Sequence, residues 1–171
     1  VLAWEPYKGA ILKAKIPGAK DGNIKFRQLF FNGRCQTRAR WPNYDPAKST
    51  IVADWTNPNE RYANWIRMEG PAEPGSHIAF KYKPGTFPRS WAKPYLAEIN
   101  VKPCLAWCNN IVPVASVNEK NRVITLTHDI WHADYDFKRY SDIPFQPENA
   151  FVVENLLEEL DQPGEWCLDF D

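Results

Sequence analysis

"KDGNIKFRQLFFNGRCQTRARW" (residues 20–41) reads as two strands folded back about Asn32 and Gly33. Asn-Gly is the dipeptide that a two-residue type I′ turn favours, because both of its positions need a positive φ. With the turn there, Phe31 faces Arg34, Leu29 faces Gln36, Arg27 faces Arg38 and Lys25 faces Arg40. Side chains alternate between the two faces of such a ribbon. One face would carry Phe26, Gln28, Phe30, Cys35, Thr37, Ala39 and Trp41. The other would carry Lys25, Arg27, Arg34, Arg38 and Arg40, with Leu29, Phe31 and Gln36. Like charges directly opposite one another are destabilising, so something negative should lie over the arginine face.

The rest of the chain reads the same way. Residues 7–17 alternate enough for a strand. Residues 76–83 set Ile78, Phe80 and Tyr82 against mostly polar partners. Residues 95–102, 105–118 and 122–129 give three more strands, and residues 118–121 are a polar turn between the last two. Residues 41–50 form a loop rich in proline and asparagine, and residues 60–70 are ambiguous. "PENAFVVENLLEELDQPG" (147–164) places Val153, Leu156, Leu157 and Leu160 at i, i+3, i+4 and i+7 before Pro163-Gly164. That spacing predicts one short C-terminal α-helix. Residues 165–171 would be a last strand whose partner lies outside the chain. The expectation is an all-β fold, a single β-barrel or β-sandwich domain with that one helix.

Composition agrees. The chain has 171 residues, enough for one domain with a sizeable core. It contains 8 Trp, 7 Tyr, 9 Phe and 15 Pro, which suits strands joined by rigid turns better than a helix bundle. Lys+Arg and Asp+Glu are both 21, so the basic excess of a general nucleic-acid binder is missing. No apolar run is long enough for a membrane helix, and no signal peptide is visible. The first residue is Val1 rather than Met, which leads to the expectation of a segment excised from a larger protein. Cys35, Cys104, Cys108 and Cys167 permit two disulfides. The plainer reading is buried free thiols, and a zinc site lacks the usual spacing.

The two ends together resemble a segment of right-handed parallel β-helix proteins of the pectin-lyase-like, carbohydrate-active kind. The residues that carry the likeness are "FRQLFFNGRCQTRARWPNYDP" and "ENAFVVENLLEELDQPGEWCLDFD", with "SWAKPYLAEINV" and "NRVITL" between them. The resemblance implies an accessory β-domain, inserted in or appended to a β-helix enzyme that acts on polysaccharide. It implies a secreted or periplasmic setting and the parent catalytic domain as a partner. It departs at Cys167, where an aromatic is usual. The β-helix coils that carry such enzymes' carboxylates are absent, so no catalytic residue transfers and the domain is expected to be inactive alone.

Two candidates answer the arginine face. Internal carboxylates (Asp45, Glu158, Glu159, Asp161, Glu165 or Asp169) could pair with Arg38 and Arg40. An external anion, such as a uronate or sulfate, could meet Arg34 instead. Sugar sites join a flat aromatic platform to a few oriented polar groups. "THDIWHADYDFKRY" (127–140) supplies His128, Trp131, His132, Asp134 and Tyr135 in that mixture, and "DWTNPNERYANW" (54–65) supplies Trp55. With Arg34 these are the candidate carbohydrate-binding residues; most of the remaining tryptophans are expected to fill the core. A metal is not expected. His128 and His132 share a face only on a helix, and Asp129, Asp134 and Asp136 lack the DxDxDG pattern of a calcium loop. No GxSxG, phosphate-binding glycine loop or HExxH is present. The sequence therefore points to a non-catalytic carbohydrate-binding module, to a structural insert that supports or lids a parent active site, and last to a small hydrolase.

Overall fold

The computed structural model describes residues 3–20, 24, 26–47, 62–103, 109–130 and 143–170. The fold is all-β. Its centre is a closed barrel of six antiparallel strands: β7 (Ile66–Pro71), β8 (Ala79–Tyr82), β9 (Glu98–Lys102), β10 (Asn110–Asn118), β11 (Val123–Leu126) and β12 (Ala150–Glu154). Around the barrel the order is β7-β8-β11-β10-β9-β12, and β12 returns to β7. Strands β9, β10 and β11 form a meander, and β12 comes back by a long connection to lie beside β9, which is a Greek-key path. Closure leaves no unpaired sheet edge among the six.

The period-two pattern explains the interior. Phe80 and Tyr82, Ile99 and Val101, Val112 and Val114, Ile124 and Leu126, and Phe151 and Val153 are all buried members of one core cluster. Each pair is two residues apart, so one side of every strand points inward. Phe80 sits between Phe145 and Phe151, with ring centroids 5.2 and 4.8 Å away in edge-on arrangements, the geometry aromatic quadrupoles favour. Phe87 links Tyr82 to Trp91 at 4.8 and 4.5 Å. The polar turn at residues 118–121 is present: Asn118 Oδ1 accepts from the Asn121 backbone N–H at 3.0 Å.

The C-terminal helix expected over residues 147–164 is not formed. Residues Ala150–Val153 are buried without alternation, so both faces of β12 are covered, while its two edges pair with β9 on one side and with β7 and β6 (Arg40–Trp41) on the other. A strand covered on both faces reads as a continuous apolar run, which periodicity alone does not separate from a helix. Asn155 then takes φ +70°, and only a single 3-10 turn follows at Leu157–Glu159. A second 3-10 turn precedes β9 at Pro94–Leu96.

Smaller ribbons surround the barrel. The strand expected in residues 7–17 is a hairpin, β1 (Trp4–Lys8) with β2 (Ile11–Ala14), turned at Gly9. The Asn32-Gly33 turn holds β3 (Phe30–Phe31) against β4 (Arg34–Cys35) in the anticipated register, Phe31 opposite Arg34, with φ +49° and +74° at the turn. Beyond Gln36 the long hairpin does not persist. β5 (Thr37–Arg38) runs parallel to β13 (Glu165–Trp166), so the last strand has its partner within the chain.

That departure reassigns the faces. Phe30, Phe31 and Cys35 are exposed, while Arg38 is buried and Ala39 fully so. Internal carboxylates do meet the arginines, and the ones that pair with Arg27 and Arg38 are not those anticipated. Arg27 and Arg38 converge on Glu98 of β9, and Arg27 also reaches Glu154 of β12 at 3.3 Å. Burial lowers the Arg38 guanidinium from its ordinary value, and Glu98 opposes the shift. The Arg38 guanidinium also lies 5.2 Å from the Trp166 ring, which Phe26 stacks at 5.2 Å.

Candidate functional site

The surface between β5–β6, the loop after β6, residues 62–65 and the turn before β13 forms an open cleft of ≈ 590 Å³. It is lined by Thr37, Trp41, Pro42, Asn43, Tyr44, Asp45, Asn64, Gln162, Pro163 and Glu165. Its wall is built from the barrel outward. β6 pairs with β12 through Arg40 and Trp41. The Trp41 indole is fixed by donating Nε1 to Thr86 O at 2.9 Å, and the Arg89 guanidinium lies 5.9 Å from its ring centroid.

The loop beyond Trp41 is held by its own side chains. Asn43 Nδ2 donates to Asp161 Oδ1 at 2.9 Å. Asn64 Nδ2 donates to Asn43 O at 2.6 Å. Asp45 Oδ1 accepts from the Ala47 N–H at 2.9 Å, an Asx turn that a short acidic side chain makes readily. Across the cleft, Glu165 Oε2 caps the turn by accepting from the N–H groups of Asp161 and Gln162 at 3.1 and 3.0 Å. Burial raises the Glu165 carboxyl from its ordinary value, against those two N–H bonds and the Arg40 charge.

Behind the cleft a polar chain runs into the barrel. Asp161 Oδ2 pairs with Arg89 Nη2 at 3.2 Å. Arg89 Nη1 donates to Glu158 O and faces Glu159 Oε2 at 3.7 Å. Glu159 Oε1 accepts a hydrogen bond from Trp91 Nε1–H at 2.7 Å. Arg40 donates Nε to Pro42 O at 2.9 Å and lies 5.8 Å from the Trp65 ring.

Several cleft groups keep their capacity for hydrogen bonds. Among the described residues the Thr37 and Tyr44 hydroxyls, Asn64 Oδ1, the Gln162 side-chain amide and Glu165 Oε1 make none. Tyr44 is 51 % exposed. An indole and a phenol ring beside uncommitted hydroxyl, amide and carboxylate groups can take a ligand with one apolar face and a hydroxylated rim.

The residues anticipated from sequence lie elsewhere. Trp55, Trp131, His132, Asp134 and Tyr135 fall outside the described residues, as do Cys104, Cys108 and Asp136. His128 is exposed after β11, its Nδ1 3.0 Å from Asp129 O. Arg34 is exposed on β4 and makes no ion pair among the described residues. Neither lines the cleft. Its members were visible as the stretch "WPNYDP" next to Trp41, but they read as an ordinary loop, and nothing local shows that residues 161–165 close the other side. Among the described residues no group of three or more His, Cys, Asp or Glu could hold a metal ion, and no helix is long and apolar enough to cross a membrane. Of the four cysteines, Cys35 and Cys167 are described, and both are free thiols.

No protein-family model, curated protein or solved structure matches this chain.

Proposed function

We propose that this chain is a non-catalytic carbohydrate-binding module that works beside a polysaccharide-active β-helix domain. The observation that carries the reading is the cleft at Trp41 and Tyr44, where aromatic surface meets the Thr37 and Tyr44 hydroxyls and the Gln162 amide, which make no hydrogen bond among the described residues. Sugar rings present C–H faces to such aromatics and hydroxyls to such amides. The likeness of residues 26–46 and 148–171 to segments of carbohydrate-active β-helix proteins supports the same reading. Affinity electrophoresis of the chain in gels containing xylan, glucomannan or polygalacturonate tests it. Migration should be retarded in at least one gel, and Tyr44→Ala should abolish the retardation without moving the melting temperature. Unretarded migration in every gel would dismiss the module.

A second reading, a structural insert that docks on a parent domain, is favoured by a different surface. Trp4, Tyr7 and Leu12 on the first hairpin and Phe30 and Phe31 on the second are about half or more exposed. Exposed apolar surface on such ribbons can serve contact with another protein surface. Loss of binding to a co-expressed flanking domain in Phe30→Ser/Phe31→Ser, with sugar retardation absent, would select this reading.

A further inference from the structure

A second groove, of ≈ 560 Å³, crosses the outer surface of β8, β11 and β10 and shares no residue with the cleft. The pairing register builds its floor. Lys81 stands opposite Val123, and Val123 opposite Asn118; one row along, Thr125 stands opposite Ser116. The alternate residues Phe80, Ile124 and Val117 pack into the core, so these five side chains share the outer face. Three cations line the groove, Lys81 with Lys120 and Arg122 of the β10–β11 turn, against one carboxylate, Glu73. All of its lining lies within the described stretches 62–103 and 109–130. Arg122 is held in place: its Nε donates to Tyr82 O at 3.1 Å and its Nη2 to Glu69 Oε2 at 2.9 Å. The neighbouring Glu119 accepts from Ser90 Oγ at 3.0 Å. Among the described residues the side chains of Lys81, Lys120, Ser116 and Thr125 make no ion pair or hydrogen bond.

Resting on the reading above only for the class of partner, a polysaccharide, we propose that this groove binds a sulfate ester on a sugar chain. Arginine recognises a planar carboxylate by presenting two parallel N–H groups. Each paired edge of the Arg122 guanidinium includes a nitrogen already engaged by Tyr82 or Glu69, so Nη1 is left as a single donor. The other two cations are lysines, point charges with rotatable donors. Such donors suit a tetrahedral oxyanion, whose oxygens accept from several directions. The Ser116 and Thr125 hydroxyls on the floor then meet the hydroxyls of the sugar that carries the ester. A nucleic acid would need cations that track its backbone and rings on which its bases stack, whereas the lining contains no aromatic residue. Arg34, the cation that the sequence offered to an external anion, lies on β4 and takes no part.

Isothermal titration of the whole chain with oligosaccharides of chondroitin sulfate, κ-carrageenan and dextran sulfate, each beside its desulfated form, tests the site. At least one sulfated form should bind at least about tenfold tighter than its desulfated counterpart, because charge-assisted bonds to an oxyanion are among the strong ones. Lys81→Gln/Lys120→Gln should weaken that binding by at least about tenfold without moving the melting temperature, and Glu73→Gln should strengthen it by removing a like charge. Tyr44→Ala should leave it within about twofold, since distant sites act independently. Sulfated forms no tighter than desulfated ones, or tight binding that survives the double lysine variant, would overturn the inference and leave the cleft standing. A thymidylate oligomer of equal charge that binds as tightly would overturn it in favour of phosphodiesters. Sulfate-dependent binding that needs the lysines, with unretarded migration in the three gels named above, would keep this site and dismiss the cleft.

Discussion

Trp91 donates its indole Nε1–H to Glu159 Oε1 at 2.7 Å at the inner end of the polar chain that begins in the cleft, and Glu159 is fully buried. Burial raises this carboxyl from its ordinary value, more than the Trp91 bond and the Arg89 charge lower it, while Asp161 and Glu158 add to the rise. The folded chain thus holds the proton more tightly than the unfolded chain. Stability conferred by that proton is complete below the ordinary glutamate value and is lost as pH rises through the folded one. Glu165 acts with the same sign.

Glu159→Gln keeps an acceptor for Trp91 and removes the titration. Its stability in urea titrations should fall less steeply than that of the wild type as pH rises above the ordinary glutamate value. Glu159→Ala leaves a buried indole N–H without an acceptor and should cost about 1–3 kcal/mol below the ordinary glutamate value, where the wild type is fully protonated at this site. Parallel wild-type and Glu159→Gln profiles would contradict the assignment.

Asn155 ties three segments together. Its Nδ2 donates to Leu96 O and Leu168 O at 2.8 and 3.0 Å, its Oδ1 accepts from Leu168 N at 2.7 Å, and its backbone N–H reaches Ala39 O at 2.8 Å. Asn155→Ala would orphan buried backbone groups and place alanine at φ +70°. The expected loss is about 2–4 kcal/mol. Hydrogen exchange should show Leu168 N losing protection first; an unchanged Leu168 rate would refute the clamp.

Phe80 and Phe31 should differ sharply. Phe80→Ala empties the centre of the aromatic cluster and should cost about 3–5 kcal/mol. Phe31→Ala removes a ring that is 61 % exposed and should change stability by about 0.5 kcal/mol or less. Comparable losses in denaturant titration would mean that the hairpin tip is packed within this chain.

The two described cysteines should differ in alkylation. Burial and the Asp169 charge push the Cys167 thiol up to about 11, against the pull of Arg38, so little thiolate exists at pH 8. Cys35 is exposed. Peptide mass spectrometry after a short iodoacetamide pulse should find Cys35 modified first, and equal labelling would be inconsistent with the half-buried Cys167.

Much of the fold was legible because strands write a local signature. The alternation at Phe80 and Tyr82, the paired apolar positions of β9 and β11, and the Asn32-Gly33 turn all depend on neighbours within a few residues. The β12 segment was misread for the opposite reason. Phe151, Val152 and Val153 are buried on both faces, and their helical spacing with Leu156 and Leu160 is a coincidence that only pairing with β9, β7 and β6 resolves.

By itself the sequence determined that the chain is β-rich, that an Asn32-Gly33 turn joins two strands, and that a cluster of arginines in a neutral chain needs negative charge over it. The tertiary structure alone decided which carboxylates serve, namely Glu98 and Glu154, each more than fifty residues away along the chain from its arginine. It also decided that the barrel closes through β12, and that "WPNYDP" and the turn before β13 face one another across a cleft. Those are contacts between segments remote in sequence, and no local preference encodes them, because they arise only when closure of the barrel brings the strands side by side.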